Sequence, residues 1–359
     1  MSALERALTR VAPLDAAAMA AARERQGQLT KPPGSLGRLE ELAVQLAGIA
    51  GTARPLIGDR VIVVCAADHG VAAAGVSAYP AAVTAQMVHN FVRGGAAINV
   101  LARQAGARVV VADLGVDHDF PRELPVVHAK LGRGTASLLL GPAMTRAQAR
   151  GAVEVGIEMV AREAEQFRAA ARGDDVLVVG TGDMGIGNTT ASSAIVAAMT
   201  GAPVAEVTGR GTGIDDATWA RKVAAIERGL EVNRPDASDA LDVLAKVGGF
   251  EIGGLAGVMV GAAAERLPVV IDGFISGAAA LIAVGLCPGV RDYLMAAHRS
   301  VEVGHRVVLD RLGLRPLLEL DLRLGEGTGA ALAMQLLDAA VAIHNGMATF
   351  DEAGVSGPA

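Results

Sequence analysis

The chain has 359 residues, a net charge of −6, 52% hydrophobic and only 3% aromatic content. The acidic balance excludes a nucleic-acid binder, which needs a basic face. Two cysteines, Cys65 and Cys287, exclude a disulfide framework, and the length calls for one large domain with an appendage, or two domains.

The opening "MSALERALTR" mixes charges of both signs and has no apolar h-region, so no secretory signal is expected. With so few cysteines, a cytoplasmic location is expected. Residues 14–29 read as a helix stopped by "KPPGS", where proline and glycine force an extended turn. Four short β-branched runs follow: "VIVVCA" (61–66), "RVVVAD" (108–113), "DVLVVG" (175–180) and "LPVVIDG" (267–273). None alternates, which predicts parallel strands buried on both faces. Ala-rich helical stretches separate them. The pattern is βαβ repeated, an α/β fold with a doubly wound, mostly parallel, Rossmann-like sheet. Residues 1–45 and 328–359 are expected to form a smaller helical domain beside a large α/β domain over 46–327. The uncharged runs around Ala191, around Leu255 and from Gly273 are Gly-rich and just short of spanning length, so they read as core helices.

Polar residues and glycines gather after every strand: Asp68-His69-Gly70, Gly115-Val116-Asp117, Gly182-Asp183-Met184-Gly185 and Asp272-Gly273. The carboxyl edge of an open sheet is where ligands bind, although Asp and Gly also make ordinary turns. In "GTGDMGIGNTT" (180–190) glycines let backbone N–H groups approach a ligand, and a helix start follows. That is an anion site, most simply for a phosphate, with Asn188, Thr189 and Thr190 as caps or ligand contacts. The run also holds a literal G-x-G-x-x-G at Gly180, Gly182 and Gly185. An NAD(P)-dependent oxidoreductase is therefore an alternative reading. Against it stand the mid-chain position and the further Gly187-Asn188. There is no G-K-[ST], no G-x-S-x-G and no H-x-x-x-H. Asp117-His118-Asp119 reads as an exposed polar loop rather than a metal site. Asp215 fits a helix N-cap as well as catalysis. Lys222 could reach a phosphate or sit on a solvated helix face. Ser300, Glu302 and His305 form a polar patch that could open a helix.

Glu326 lies in "LRLGEGTGAALA" (322–333), between glycines, ahead of an apolar helix for which Thr328 is the expected N-cap. A buried charge is costly unless it is paired or used. The helix dipole would lower its pKa and desolvation would raise it. The residues alone leave that balance open, and also the choice between a general base and a carboxylate that caps a turn.

Long motifs run through the chain: "LTKPPGSLGRLE" (29–40), "AADHGV" (66–71), "YPAAVTAQMVHNFVRGGAAINVLARQAGA" from Tyr79, "GTGDMGIGNTT", "LAKVGGFEIGGLAGVMVGAA", "DGFIS", "LRLGEGTGAALA" and "MATFDEAGV" (347–355). On these it resembles the nicotinate-nucleotide:dimethylbenzimidazole phosphoribosyltransferases. The resemblance implies transfer of the 5-phosphoribosyl group from nicotinate mononucleotide to a benzimidazole-type base, with inversion at C1′ and no metal or organic cofactor. It implies Glu326 as the general base. It places Gly182, Asp183, Gly185, Ile186, Gly187, Asn188, Lys222 and Ser300 around the nucleotide and its phosphate. It places Tyr79, Pro80, Gln86, Met87 and Leu324 at the acceptor-base pocket. It also implies a homodimer, for which the apolar segments 254–264 and 274–287 are the expected interface. Asp183 stands where the family more often carries glutamate, and Tyr79 where some members carry a small polar residue. A non-catalytic nucleotide sensor is the third reading.

Overall fold

The computed structural model describes residues 1–170, 175–211 and 213–356. The N-terminal third holds α1 (Ala3–Arg10), α2 (Ala16–Gln28), α3 (Arg38–Ala50), β1 (Leu56–Ala67), α4 (Val83–Arg93), α5 (Ala97–Gln104) and β2 (Arg108–Gly115). The middle holds β3 (Val127–His128), α6 (Arg146–Ala170), β4 (Asp175–Met184), α7 (Asn188–Thr200), α8 (Val204–Val207), α9 (Asp216–Asn233) and α10 (Ala240–Val247). Then come α11 (Phe250–Ala264), β5 (Val269–Ile271), α12 (Phe274–Leu286), β6 (Leu294–Ala296), α13 (Val303–Leu312), α14 (Thr328–Gly346) and α15 (Phe350–Ala353).

The four expected strands pair in one sheet of order β3-β2-β1-β4-β5-β6, and every pairing is parallel. This is the doubly wound order, with its switch point between β1 and β4. The register sets Cys65 beside Asp183 and Ala66 beside Met184 at the carboxyl ends of those two strands. Alternation along each strand gives the sheet two apolar faces. On one face Ile62 and Gly180 meet α14; on the other Cys65 and Leu114 meet α11. Strands β3 and β6 were not foreseen. They hold two and three residues at the sheet's edges, too short for a periodic signal.

All of α11, and α12 as far as Ala283, is buried inside the chain. That explains their hydropathy and corrects the interface expectation: α11 is core throughout, and of the 274–287 segment only the end from Val284 reaches the surface. Among the described residues no helix is long and apolar enough to cross a membrane. The two ends of the chain meet. Leu29 bridges Thr349, and Arg25 Nε donates to the His344 carbonyl at 2.7 Å. Helix α14 packs on α3 and also on α5, β1 and β4, while α1 packs on α6 and α11.

Helices α6 and α11 touch backbone to backbone through glycines. A Cβ at Gly257 would overlap the Val153 carbonyl oxygen, and one at Gly156 the Gly254 carbonyl oxygen. In α2, Gly27 has nothing within 4 Å of where a Cβ would sit. The same substitution should therefore change sign. Gly257→Ala is expected to lower stability by about 1–3 kcal/mol through overpacking. Gly27→Ala is expected to raise it by roughly 0.5–1 kcal/mol through helix propensity. Urea denaturation of both variants checks this; equal effects would contradict it.

Candidate active site

A cavity of about 390 Å³ opens at the carboxyl ends of β1 and β4, at the switch point. The turn Gly325-Glu326-Gly327 forms one wall, with φ of 81°, 62° and 95°. Glycine adopts that left-handed backbone freely, but for glutamate it costs about 1–3 kcal/mol. The turn is held by a residue far away in sequence. Asp272, at the end of β5, accepts from Gly327 N at 3.1 Å, Gly329 N at 2.7 Å and Ala330 N at 3.2 Å. It is fully buried and acts as the cap of α14. Thr328 is not the cap. It is the first helical residue, and its hydroxyl donates back to the Gly325 carbonyl at 2.9 Å. Behind the turn, a Cβ at Gly182 would overlap the Glu326 carbonyl oxygen, so only glycine fits there.

Glu326 is buried, and its Oε2 accepts from Ile98 N in the first turn of α5 at 3.4 Å. Burial pushes its carboxyl above the usual glutamate value. The Ile98 N–H opposes this shift and the Asp272 charge adds to it. Desolvation therefore wins the balance that the sequence left open. Asp183 is pushed well above its usual range, first by burial, then by Asp272 and Glu251, with Glu326 adding and the Asn188 side chain opposing. Asn188 Nδ2 donates to Asp183 Oδ2 at 2.9 Å, so Asn188 serves the site rather than capping α7. The shift favours the neutral form of Asp183, in which the carboxyl can donate an O–H.

The loop into α7 is tightly packed. A Cβ at Gly185 would overlap the Ala67 carbonyl, and Gly187 sits at φ 96° against the ring-bearing carbon of His69. The Ile186 N–H donates to Thr84 Oγ1 at 3.2 Å and the Asn188 N–H to the Gly185 carbonyl at 3.1 Å. Those two donors are engaged within the protein, so a phosphate here depends more on Lys222 than the glycine pattern implied. Lys222 is 1% exposed, which removes the solvated-face reading. Its Nζ donates to Thr189 Oγ1 at 2.8 Å. Burial pulls its pKa down to about 8, opposed by Glu302. An arriving phosphate would restore its full charge. Ser300 N donates to His305 Nδ1 at 3.0 Å. Burial and the neighbouring His298 hold His305 at about 3, neutral, so it acts as a fixed acceptor.

Of the expected residues, Asp183, Gly185, Ile186, Gly187, Asn188, Lys222, Ser300 and Glu326 line this one cavity, with Tyr79, Met87 and Leu324 on its apolar side. Gly182 sits behind the wall. Pro80 lines a smaller neighbouring cavity with Asp68 and His69, and Gln86 is exposed and off the lining. His69 Nε2 meets Glu251 Oε1 at 2.6 Å, both buried. Asp117 and Asp119 pair with Arg133 on the surface, as a polar loop does. Asp215 is an N-cap, accepting from Thr218 N at 2.8 Å. Sequence reading missed the Asp272 cap, the Ile98 donor, Thr189 as the Lys222 partner, and Glu302 and His298 as lining groups. Asp272, Thr189 and Glu302 stood in polar runs that the sequence singles out without revealing these roles, whereas Ile98 and His298 left no such signal.

A family model described as phosphoribosyltransferase matches residues 11–355. A nicotinate-nucleotide–dimethylbenzimidazole phosphoribosyltransferase from Roseiflexus sp. strain RS-1 is 62% identical over 357 residues, 99% of each chain. The one from Geobacter sulfurreducens is 56% identical, again over 99% of each chain. The chain belongs to this phosphoribosyltransferase family. The solved structure of the Thermus thermophilus member superimposes with a TM-score of 0.88 at 48% identity, covering 96% of this chain and all of that one. In this chain the G-x-G-x-x-G is not arranged as a dinucleotide fingerprint. Gly180 and Gly182 lie inside β4, where α14 packs on the first and the Glu326 turn on the second, and not in a ligand-binding turn. The oxidoreductase alternative thus finds no support.

A raised carboxyl pKa makes ionisation of Glu326 a cost to the folded state. The cost is absent below the ordinary glutamate value, grows as pH rises, and is complete above the folded pKa. Glu326→Gln removes it. At pH 8 the variant is expected to be more stable than the parent, with the advantage fading toward the ordinary glutamate value as pH falls. Urea titrations across pH test this. A variant equal to or weaker than the parent at pH 8 would contradict it.

Proposed function

We propose that this chain transfers the 5-phosphoribosyl group of nicotinate mononucleotide to 5,6-dimethylbenzimidazole, giving α-ribazole 5′-phosphate and nicotinate, with Glu326 as general base. The observation that carries the reading is Glu326 itself: a buried carboxylate on the cavity wall, fixed by backbone and, among the described residues, by no cation, with its basicity raised by burial. A carboxylate paired to a lysine or arginine would be a weaker base.

One nitrogen of the flat base attacks C1′ while Glu326 takes the N–H proton from the other. The C1′–N bond to nicotinate breaks, and its electron pair stays on the leaving ring nitrogen, which loses its positive charge. Attack opposite the leaving group inverts C1′. Lys222, Ser300 and the loop of Gly185, Ile186, Gly187 and Asn188 take the 5′-phosphate end. Gly182 serves by admitting the Glu326 turn, and Asp183 by holding Asn188 beside it. Tyr79, Met87 and Leu324 supply apolar surface for the base, with Pro80 in the neighbouring cavity, while Gln86 lies off the lining.

We further propose a cytoplasmic homodimer whose terminal segments, 1–45 and 328–359, act as a small helical unit. Support comes from two free cysteines, from the bonds joining those ends, and from Tyr79 and Leu324, which leave apolar surface at the cavity mouth.

The test is chromatographic quantitation of nicotinate and α-ribazole phosphate with and without the base. Base-dependent release in equal amounts is expected. Glu326→Gln should lower kcat about 10²–10⁴-fold with nucleotide binding retained. Loss of binding along with activity would make Glu326 structural. Bound nucleotide without product from the parent chain would favour the sensor.

A further inference from the structure

The segment leaving β6 alternates. His298, Ser300 and Glu302 are buried, while Arg299 and Val301 face solvent. Backbone bonds from Arg299 N to the Leu318 carbonyl (2.9 Å) and from Val301 N to the Leu322 carbonyl (3.2 Å) hold it extended. Period two therefore sets all three buried side chains on the cavity wall. Glu302 is the one with no role so far. It is 6% exposed, and its Oε2 has no hydrogen-bond partner among the described residues. It stands near enough to Lys222 to hold that ammonium's pKa up. Gly209 backs it so closely that a Cβ there would overlap Oε2.

An ionised carboxylate only accepts hydrogen bonds, and a buried one left open is costly unless a ligand brings a donor. Resting on the donor proposed above, this demand is selective. The phosphate and the nicotinate carboxylate of nicotinate mononucleotide are acceptors. Its ring nitrogen carries the ribosyl bond and no hydrogen. The ribose 2′- and 3′-hydroxyls are the donors the ionised molecule has. The acceptor base has one N–H, which Glu326 takes. We propose that Glu302 accepts a hydrogen bond from the donor ribose hydroxyls. It thereby orients the sugar next to Lys222, which holds the 5′-phosphate of the same sugar. Glu302 is a specificity group for ribose, and it moves no proton.

The test is calorimetric binding of nicotinate mononucleotide and its 2′-deoxy and 3′-deoxy analogues to the parent chain, Glu302→Ala and Glu302→Gln. Glu302→Ala should weaken nicotinate mononucleotide about ten- to a hundredfold. The parent should prefer the ribose over at least one deoxy form, Glu302→Ala should lose that preference, and Glu302→Gln, which keeps shape and a neutral acceptor, should restore part of it. Neither variant should change KM for the base. A ribose-to-deoxy ratio unchanged in Glu302→Ala, or tighter nucleotide binding from relief of repulsion with the phosphate, overturns the proposal. A parent chain that binds no nicotinate mononucleotide overturns this proposal and the donor assignment together.

Discussion

One buried carboxylate holds the site in shape. Asp272 leaves the end of β5 and accepts the N–H groups of Gly327, Gly329 and Ala330. A helix start without a cap leaves donors unpaired, and burying them is expensive. Asp272 supplies the missing acceptors and anchors the start of α14 to the sheet. Glu326 then has little choice of position. It sits in a left-handed turn that glutamate disfavours, with the Gly182 backbone behind it and the α5 N-terminus in front. Strain of this kind persists where the surroundings over-determine the geometry. Here the surroundings are a strand end, a helix start and two glycines.

The electrostatics follow from the same crowding. Asp272, Glu251 and Glu326 raise the proton affinity of Asp183, and Asp272 raises that of Glu326. The ammonium of Lys222 is on the other side of the balance and is itself weakened by burial. A site of this kind is under electrostatic tension. In the proposed reaction, a nucleotide phosphate would relieve part of it by recharging Lys222, and an azole proton would relieve part by neutralising Glu326. Both proposed steps would then be favoured by a cost the free protein already carries. That is the usual relation between an active site and stability.

The fold was largely legible because parallel strands buried on both faces leave unbroken β-branched runs, and 61–66, 108–113 and 175–180 are such runs. The site was legible in part. Glu326 stood out because a charge between glycines before an apolar helix is locally anomalous. Asp272 did not, since its partners lie 55 and more residues away and an Asp-Gly after a strand looks like any turn. The loop at 185–188 advertised its backbone N–H groups, but nothing local reveals that Thr84 already takes one. Lys222 was ambiguous because burial of one face of α9 depends on α7 and the 209–211 segment, not on its own neighbours. Gly180 and Gly182 misled for a related reason. A glycine needed for helix-on-sheet approach and one needed for a turn are written with the same letter.

The central claim is that a desolvated Glu326 is the base and a desolvated Lys222 holds the phosphate. The most direct measurement is kcat/KM for nicotinate mononucleotide against pH, which reports the groups of the free enzyme. The account predicts a bell. Its acid limb lies above the ordinary glutamate value, and its alkaline limb falls near pH 8, where Lys222 loses its proton. An acid limb at or below the ordinary glutamate value would contradict it, because the base would then be a solvated carboxylate and the buried geometry around Glu326 would have no part in the chemistry.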